Sequence, residues 1–177
     1  MIKFEVSRDP KLLDQYYALR EQCFRQELGL ANFDGSEETN DRLGQILIAH
    51  QHGHCIGGVR ISPELQLQEP LEELELLKTA CCMWERFVVD PAIRSLNFTR
   101  EFIAHLIDIS NLLGYRHALV LSSMRNARFY RACHTALGVP FEIHRTVPEC
   151  AKGEFAGLEH YLSVSYLKET QQLRLVA

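Results

Sequence analysis

The spacing of apolar side chains along the chain follows two periods, and each period predicts one kind of element. At the N-terminus, IKFEV alternates apolar and polar residues, which predicts a strand. From Lys11 to about Glu27 the apolar residues fall at helical spacing, after Asp9 as N-cap and Pro10 as the first helical residue. Residues 30–43 are polar and acidic, so they predict a loop, and its length makes it a candidate for function.

Beyond this loop, strands come both as a hairpin and in alternation with helices. QILIAH and CIGGVRIS surround QHGH and predict the hairpin. Residues 63–79 show no single period, and the leucine-rich acidic piece LEELELLK within them predicts a helix. The strand CCMWERFVV then runs into Asp90-Pro91, a turn signal.

The C-terminal half alternates helices with strands. LNFTREFIAHLIDISNLLG and NARFYRACHTALG predict amphipathic helices that end at glycines. HALVLSS, FEIHR and HYLSVSYL predict strands, and the final LRLVA fits either a tail or a pairing segment. No repeat, linker or low-complexity tract interrupts the pattern, which predicts one domain over residues 1–177.

Composition narrows the classes of partner. The chain is 46% apolar and 24% charged, as is ordinary for a globular protein. A net charge of −4 lacks the basic footprint of nucleic-acid binding, so we expect no nucleic-acid partner. The N-terminus has no apolar signal segment and no run reaches membrane-spanning length, so we expect a cytoplasmic protein without a membrane partner.

Cysteine and histidine spacing predicts neither disulfides nor a metal site. The six cysteines contain no C-x-x-C pair, and we expect reduced, mostly buried thiols. His50, His52 and His54 alternate, but Gly53 between them indicates a turn, and no other ligand cluster is near.

Several segments resemble the acyl-homoserine-lactone synthases, the autoinducer synthases of bacterial quorum sensing. YYALREQCFRQELGL is similar to that family's opening helix, with its Tyr-x-Leu-Arg-x-x-x-Phe pattern. GGVRISP and WERFVV resemble its Gly-x-x-Arg-Leu-x-Pro and Trp-Glu-x-x-Arg-Phe-x-Val strands, and LSSMRNARFYRACHTALGVP and EFAGLEHYLSVS its later strand–helix and final strand. The resemblance covers almost the whole chain and implies an α/β, GNAT-like fold: a central mixed, mostly antiparallel sheet flanked by helices.

The resemblance also implies a reaction. Members of that family acylate the amine of S-adenosylmethionine with a chain from acyl carrier protein, or sometimes from coenzyme A. The methionine portion then lactonises and methylthioadenosine leaves. S-adenosylmethionine and acyl-ACP or acyl-CoA are thus the expected partners as substrates, and no cofactor is expected.

Residue by residue, the resemblance implies a catalytic set and a substrate-binding set, and the position of two arginines beside a turn adds a carrier-binding pair. The catalytic candidates are Glu38, Asp41 and Glu85. The substrate-binding candidates are Arg20, Phe24, Phe33, Arg60, Arg86 and Val88. Arg94 and Arg100, beside the turn VVDPAIRSLNF, are candidates for contact with an acyl carrier protein.

These residue types suit acyl transfer to a charged amine. The amine must lose a proton, and a substrate with a sulfonium, an ammonium and a carboxylate calls for acidic and basic groups in one cleft. Glu85 and Arg86 are neighbours in a strand, so their side chains are expected on opposite faces. Such a strand accommodates both charges if Arg20, Asp41 and Arg60 complete a buried charged cluster that lines the cleft.

Two other functions fit the sequence. An N-acyl amino acid synthase would share the fold and the acyl-carrier donor but use a free amino acid. Leu30, where the synthases have tryptophan, and the altered acidic loop DGSEETND favour it. The other is a catalytically degenerate GNAT domain that binds an acyl carrier, favoured by the direct adjacency of Glu85 and Arg86. The turn VVDPAIRSLNF lacks the glycine-rich form of ordinary acetyl-coenzyme A enzymes, which argues against such an enzyme. The strand after Arg86 and the strand YRHALVLSS are apolar, and GNAT folds splay apart at the corresponding place to admit a chain, so we expect a medium or long acyl chain to be preferred.

Overall fold

A computed structural model of the chain describes residues 1–63, 68–147 and 153–167. By their contacts the residues form two compact units, Met1–Ser62 with Glu85–Phe102, and Pro63–Trp84 with Ile103–Ala177. The prediction of one domain over residues 1–177 stays a prediction.

The first unit contains an antiparallel set of three strands, β1 (Ile2–Val6), β2 (Gln45–Gln51) and β3 (His54–Ser62). β1 pairs with β2, and β2 pairs with β3, as the predicted hairpin requires. Every residue of β3 after His54 is buried, so this strand can carry a charged side chain only where that side chain has partners.

Helix α1 (Pro10–Glu27) forms where the apolar spacing predicts it. The Asp9 carboxylate accepts a hydrogen bond from the Lys11 amide at 2.9 Å, and Pro10 occupies the first turn. The predicted loop 30–43 is wrong in its last five residues, because Thr39–Leu43 forms a short helix, α2. Its start is a capping box, in which the Asp41 side chain accepts from the Glu38 amide.

The second unit is built on β5 (His117–Ser122), β6 (Phe141–Thr146) and β7 (Tyr161–Tyr166). β5 pairs in parallel with the first part of β4 (Cys81–Val89), while β7 pairs antiparallel with both β5 and β6. A core cluster beneath these strands contains Leu71, Cys81, Met83, Leu119, Val147, Leu162 and Val164. The α/β class with mostly antiparallel pairing is confirmed.

The helices of the second half begin and end close to their sequence signals. Helix α5 (Met124–Leu137) starts after Ser123, whose hydroxyl accepts from the Asn126 amide, and stops at Gly138 with φ 69°. Helix α4 spans Leu96–Leu112. The predicted helix LEELELLK is wrong in its extent, because α3 covers Gln68–Glu73 and the next turn places Glu75 at φ 54°.

Two further predictions meet the structure in part. Cys23, Cys55, Cys81, Cys82 and Cys133 are free and buried, as expected of reduced thiols. Cys150 and the terminal LRLVA lie outside the described residues.

The described residues contain no group of three or more histidine, cysteine or acidic side chains able to hold a metal. His52 and Gly53 turn the β2–β3 hairpin at positive φ. None of the helices within those ranges is both long and apolar enough to cross a membrane.

Candidate functional site

Six charged side chains meet within the first unit and form what we call the charged cluster. They come from α1, the α2 segment, β3 and β4, which brings residues far apart in the chain together. Its members are Arg20, Glu38, Asp41, Arg60, Glu85 and Arg86. Three are cations and three are carboxylates, so their formal charges cancel.

Arg20 ties α1 to the loop that follows it. Its guanidinium donates to the backbone carbonyls of Gly35 and Ser36, the latter at 2.6 Å. It also donates to both carboxylate oxygens of Asp41, at 3.1 and 3.0 Å. Since the Arg20 side chain is fully buried, the cation is held entirely by these protein groups. Arg20 therefore does not reach past the core into solvent.

Asp41 is the centre of the buried part of the cluster. Besides the two bonds from Arg20, it accepts from Arg60 at 3.0 Å and from the Glu38 amide at 2.7 Å. Its side chain has no exposed surface. Asp41, expected to be catalytic, therefore offers no surface to a substrate in this conformation.

Arg60 joins all three carboxylates from β3. It donates to Glu38 at 2.7 Å, to Asp41 at 3.0 Å and to Glu85 at 3.0 Å. Burial opposes the charge of its guanidinium, but the attraction of Glu85, Glu38 and Asp41 prevails and raises the Arg60 pKa. Arg60 is therefore a permanent cation that fixes the spacing of the carboxylates.

Glu38 lies at the edge of the cluster, with 29% of its side chain exposed. It accepts from Arg86 at 3.0 and 2.9 Å and from Arg60 at 2.7 Å. Burial would raise the pKa of this carboxyl, but the hydrogen bonds and charges of Arg86, Arg60 and Arg20 outweigh it and lower the pKa to about 2. Glu38 is thus a stable anion and a weak base, suited to holding a cation rather than to accepting a proton.

Glu85 has the most capacity left for a ligand. One of its oxygens, Oε2, accepts from Arg60, whereas Oε1 accepts no hydrogen bond from the residues that the structure describes. One fifth of its side chain is exposed. Among the three carboxylates of the cluster, Glu85 is therefore the best placed to receive a proton or an ammonium group.

Glu85 and Arg86 do not point to opposite faces of β4, which corrects the expectation from strand geometry. Arg86 has φ 57°, a left-handed backbone conformation in the middle of a strand. A residue of this kind breaks the alternation of side chains, as in a β-bulge. Both side chains therefore reach the same cluster, Glu85 through Arg60 and Arg86 through Glu38.

The two aromatic candidates pack against each other, and one of them lies next to the charged cluster. Phe24 and Phe33 pack with ring centroids 4.9 Å apart, and the Arg86 guanidinium carbon lies 6.0 Å from the centre of the Phe33 ring. Phe24, Phe33 and Val88 are all buried, so none of the three offers an exposed surface to a ligand in this conformation.

The two carrier-protein candidates differ in their surroundings. Arg94 is half-exposed and donates to both oxygens of Glu27, at 2.9 and 2.6 Å, and to the Val89 carbonyl at 2.8 Å. In Arg100, the Nε atom is buried and has no hydrogen-bond partner in the described ranges. Arg94 therefore already braces Glu27 and the Val89 carbonyl, while part of its guanidinium stays exposed.

Sequence reasoning missed two residues that shape the site. Tyr16 donates its hydroxyl proton to the Arg86 carbonyl at 2.9 Å, although its place in the apolar stripe of α1 indicated only a core residue. Gly35 sits against α1, where an added Cβ would lie 2.4 Å from the Glu21 Cβ and 2.5 Å from the Tyr17 carbonyl oxygen. A glycine in a polar loop gives no sign of such close packing.

Residues 11–134 match the family model described as Acetyltransferase (GNAT) family. A search of curated proteins finds no match. The family match spans more than half of the chain, from α1 to α5, and includes the whole charged cluster.

Solved structures share the fold at low sequence identity. The CoA-dependent acyl-homoserine lactone synthase BjaI, solved with SAM and isopentyl-CoA, is 17% identical with a TM-score of 0.70, over 98% of this chain and 86% of its own. TofI, solved in a ternary complex with an inhibitor and MTA, is 15% identical with a TM-score of 0.69, over 99% and 96%.

An N-acetyltransferase from Staphylococcus aureus Mu50 is 13% identical with a TM-score of 0.64, over 93% of this chain and 96% of its own. At such identities the likeness concerns the fold alone. It is the GNAT fold, in which the described residues form seven mostly antiparallel strands with flanking helices.

Proposed function

The chain belongs to the acetyltransferase (GNAT) family and is an acyltransferase, and from that premise we propose that it makes an N-acyl-homoserine lactone. The proposed substrates are S-adenosylmethionine and the thioester of an acyl carrier protein or of coenzyme A. The proposed products are the lactone, the free thiol and methylthioadenosine. The charged cluster is the observation that carries this proposal.

The exposed edge of the cluster suits the amino acid end of S-adenosylmethionine. Glu38, Glu85 and Arg86 are each one fifth to one third exposed, whereas Arg20, Asp41 and Arg60 beneath them are buried. An edge with two carboxylates and one guanidinium offers partners to both an ammonium and a carboxylate. The buried charges fix these groups before a ligand arrives, which is what a preorganised polar site requires.

Roles follow from the contacts of each edge residue. Glu85, with Oε1 available, accepts the proton that the amine must lose before it attacks the thioester carbonyl. The C–N bond forms, the C–S bond breaks and the thiol leaves. The substrate carboxylate then attacks the γ-carbon of the methionine portion, the bond from this carbon to the sulfonium sulfur breaks, and methylthioadenosine leaves with the bonding electrons. Arg86 and Glu38 orient the substrate through these steps without exchanging protons, because one is a permanent cation and the other a stable anion.

The acyl donor is the thioester of coenzyme A or of acyl carrier protein, and different observations support each. BjaI, of similar fold, is described as CoA-dependent and was solved with isopentyl-CoA. Acyl carrier protein remains the other donor that the sequence resemblance implies. We propose a medium or long acyl chain over acetyl, and equal turnover of acetyl-CoA would contradict that preference.

The test is product analysis by mass spectrometry with the purified chain. S-adenosylmethionine is supplied with isopentyl-CoA, octanoyl-CoA or the corresponding acyl carrier proteins, and parallel reactions contain free amino acids instead. We expect N-acyl-homoserine lactone and methylthioadenosine in equal amounts. Glu85→Gln, which keeps the shape but cannot accept the proton, should abolish both.

Two other results would contradict the proposal in different ways. Acylated amino acids without methylthioadenosine would favour the N-acyl amino acid synthase. No acyl transfer from any donor, together with binding of acyl carrier protein, would favour the degenerate domain. Culture extracts of cells that overexpress the protein, searched for the same compounds, provide an independent measurement.

A further inference from the structure

The middle of β4 has an unusual backbone conformation that needs a physical cause. Arg86 has φ 57°, a region that residues other than glycine occupy rarely and at a cost in energy. Such a conformation persists only where the surrounding contacts impose it. The consequence is direct, since the left-handed residue lets Glu85 and Arg86 join the same cluster.

Tyr16 is the contact that meets the backbone at this point. Its hydroxyl donates to the Arg86 carbonyl across 70 positions of sequence at 2.9 Å. The side chain is fully buried, so this hydroxyl has no water to satisfy it. The Arg20 guanidinium carbon lies 5.4 Å from the centre of the same ring, which places Tyr16 between the buried base of the cluster and the strand that forms its edge.

Gly58 makes this position of the tyrosine possible. A Cβ added at Gly58 would lie 2.3 Å from Tyr16 Cδ2 and 2.6 Å from Cε2. These distances are far below any real contact, and the obstructing atoms belong to a rigid ring. Glycine at position 58 in β3 therefore allows the close approach of α1 that carries the Tyr16 hydroxyl to β4.

We propose that Tyr16 is a positioning residue, which holds the Arg86 carbonyl so that Arg86 stays left-handed and both Glu85 and Arg86 face the charged cluster. This inference rests on the proposed function in one respect, since it takes the edge of the cluster to be the acceptor site. The backbone effect itself does not depend on which substrate binds there.

Tyr17 provides a matched control. It is the next residue of α1, its ring lies 4.9 Å from the same Arg20 guanidinium carbon, and no hydrogen bond from its hydroxyl occurs among the described residues. Tyr16→Phe and Tyr17→Phe each remove one oxygen and keep the ring. A general effect of losing a phenol next to Arg20 should therefore appear in both variants, whereas an effect on β4 should appear only in Tyr16→Phe.

The first measurement is NMR of the full chain without substrate. We expect the ¹³C resonances of the Arg86 carbonyl and the backbone resonances of Glu85 and Arg86 to shift in Tyr16→Phe and to stay in place in Tyr17→Phe. In the wild-type chain the Tyr16 hydroxyl proton should exchange slowly with solvent. This wild-type measurement decides the matter if Tyr16→Phe does not fold.

The second measurement is calorimetric binding of S-adenosylmethionine. Loss of one hydrogen bond that fixes the edge should raise Kd about fivefold in Tyr16→Phe, with little change in Tyr17→Phe. Unchanged β4 resonances in Tyr16→Phe, or a Tyr16 hydroxyl that exchanges as fast as that of Tyr17, would overturn the proposal. A wild-type chain that does not bind S-adenosylmethionine would instead count against the proposed function, and the NMR result would still decide the role of Tyr16.

Discussion

Removal of the Asp41 carboxylate is the most direct test of whether the charged cluster acts as one unit. Asp41→Ala deletes the acceptor of four hydrogen bonds, two from Arg20, one from Arg60 and one from the Glu38 amide. Arg20 and Arg60 would remain as cations with almost no exposure to water. Because each loses its nearest buried counter-charge, the change should destabilise the fold far more than loss of a surface carboxylate would.

The magnitude follows from the burial. Breaking a buried ion pair by removing one partner costs roughly 3–5 kcal/mol, mostly because the remaining charge is left uncompensated. For a chain of this length such a loss lowers the melting temperature by about 10 °C. Arg60→Ala should cost a similar amount, since it leaves Glu38, Asp41 and Glu85 with fewer donors.

The assay is a double-mutant cycle in urea. Asp41→Ala, Arg60→Ala and the double variant are compared with the wild-type chain, and free energies of unfolding are measured together with product formation. If the two side chains share one network, the double variant should be less destabilised than the sum of the singles by about 2 kcal/mol. Activity should collapse in all three variants.

An exposed ion pair next to α2 is the matched control. Arg42 Nε lies 2.7 Å from Glu37 Oε2, but the Arg42 side chain is 72% exposed and the Glu37 side chain is 40% exposed. The same cycle on this pair should give a coupling of about 0–1 kcal/mol. Additive losses for Asp41 and Arg60 with activity retained, or coupling no greater than in the control pair, would refute the reasoning.

Three other predictions concern the loop, the second unit and the donor. Gly35→Ala should destabilise the chain by about 1–3 kcal/mol, because its Cβ would collide with α1, whereas exposed Ser36→Ala in the same urea assay should have little effect. Buried His134 donates from Nδ1 to the Tyr130 carbonyl and accepts at Nε2 from Ser165, and desolvation lowers its pKa to about 4. As the pH falls, the imidazole of His134 is protonated near pH 6.5 in the unfolded chain but only near pH 4 in the folded chain, so the free energy of unfolding should fall by roughly 3 kcal/mol between these two pH values. A His134→Gln variant should lack this pH dependence, and an unchanged pH dependence in that variant would contradict the role given to His134. Arg94→Ala should slow turnover of acyl-ACP more than of acyl-CoA in a paired rate assay, and equal losses would show that Arg94 only braces Glu27 and the Val89 carbonyl.

Much of the local structure was determined by the sequence itself. The cap at Asp9, the proline after it and the apolar spacing fixed α1, because each acts within one or two turns of the helix. Alternation and a glycine turn likewise determined the β2–β3 hairpin. The resemblance carried by short motifs then indicated which charged residues to examine together, although Arg20, Asp41 and Arg60 are separated by about twenty residues each.

Only the tertiary structure decided which of those residues share a site and what each one can do. The alternation of a regular strand predicted Glu85 and Arg86 on opposite faces. In the structure a left-handed backbone at Arg86 brings them together, and the Tyr16 hydroxyl, 70 positions away, donates to the Arg86 carbonyl. The surroundings also make three similar carboxylates differ. Asp41 is fully buried, Glu38 is a stable anion, and Glu85 has one oxygen available to a ligand. The physical reason is that a carboxylate's proton affinity and access depend on the donors and solvent around it, and these come from segments distant in sequence.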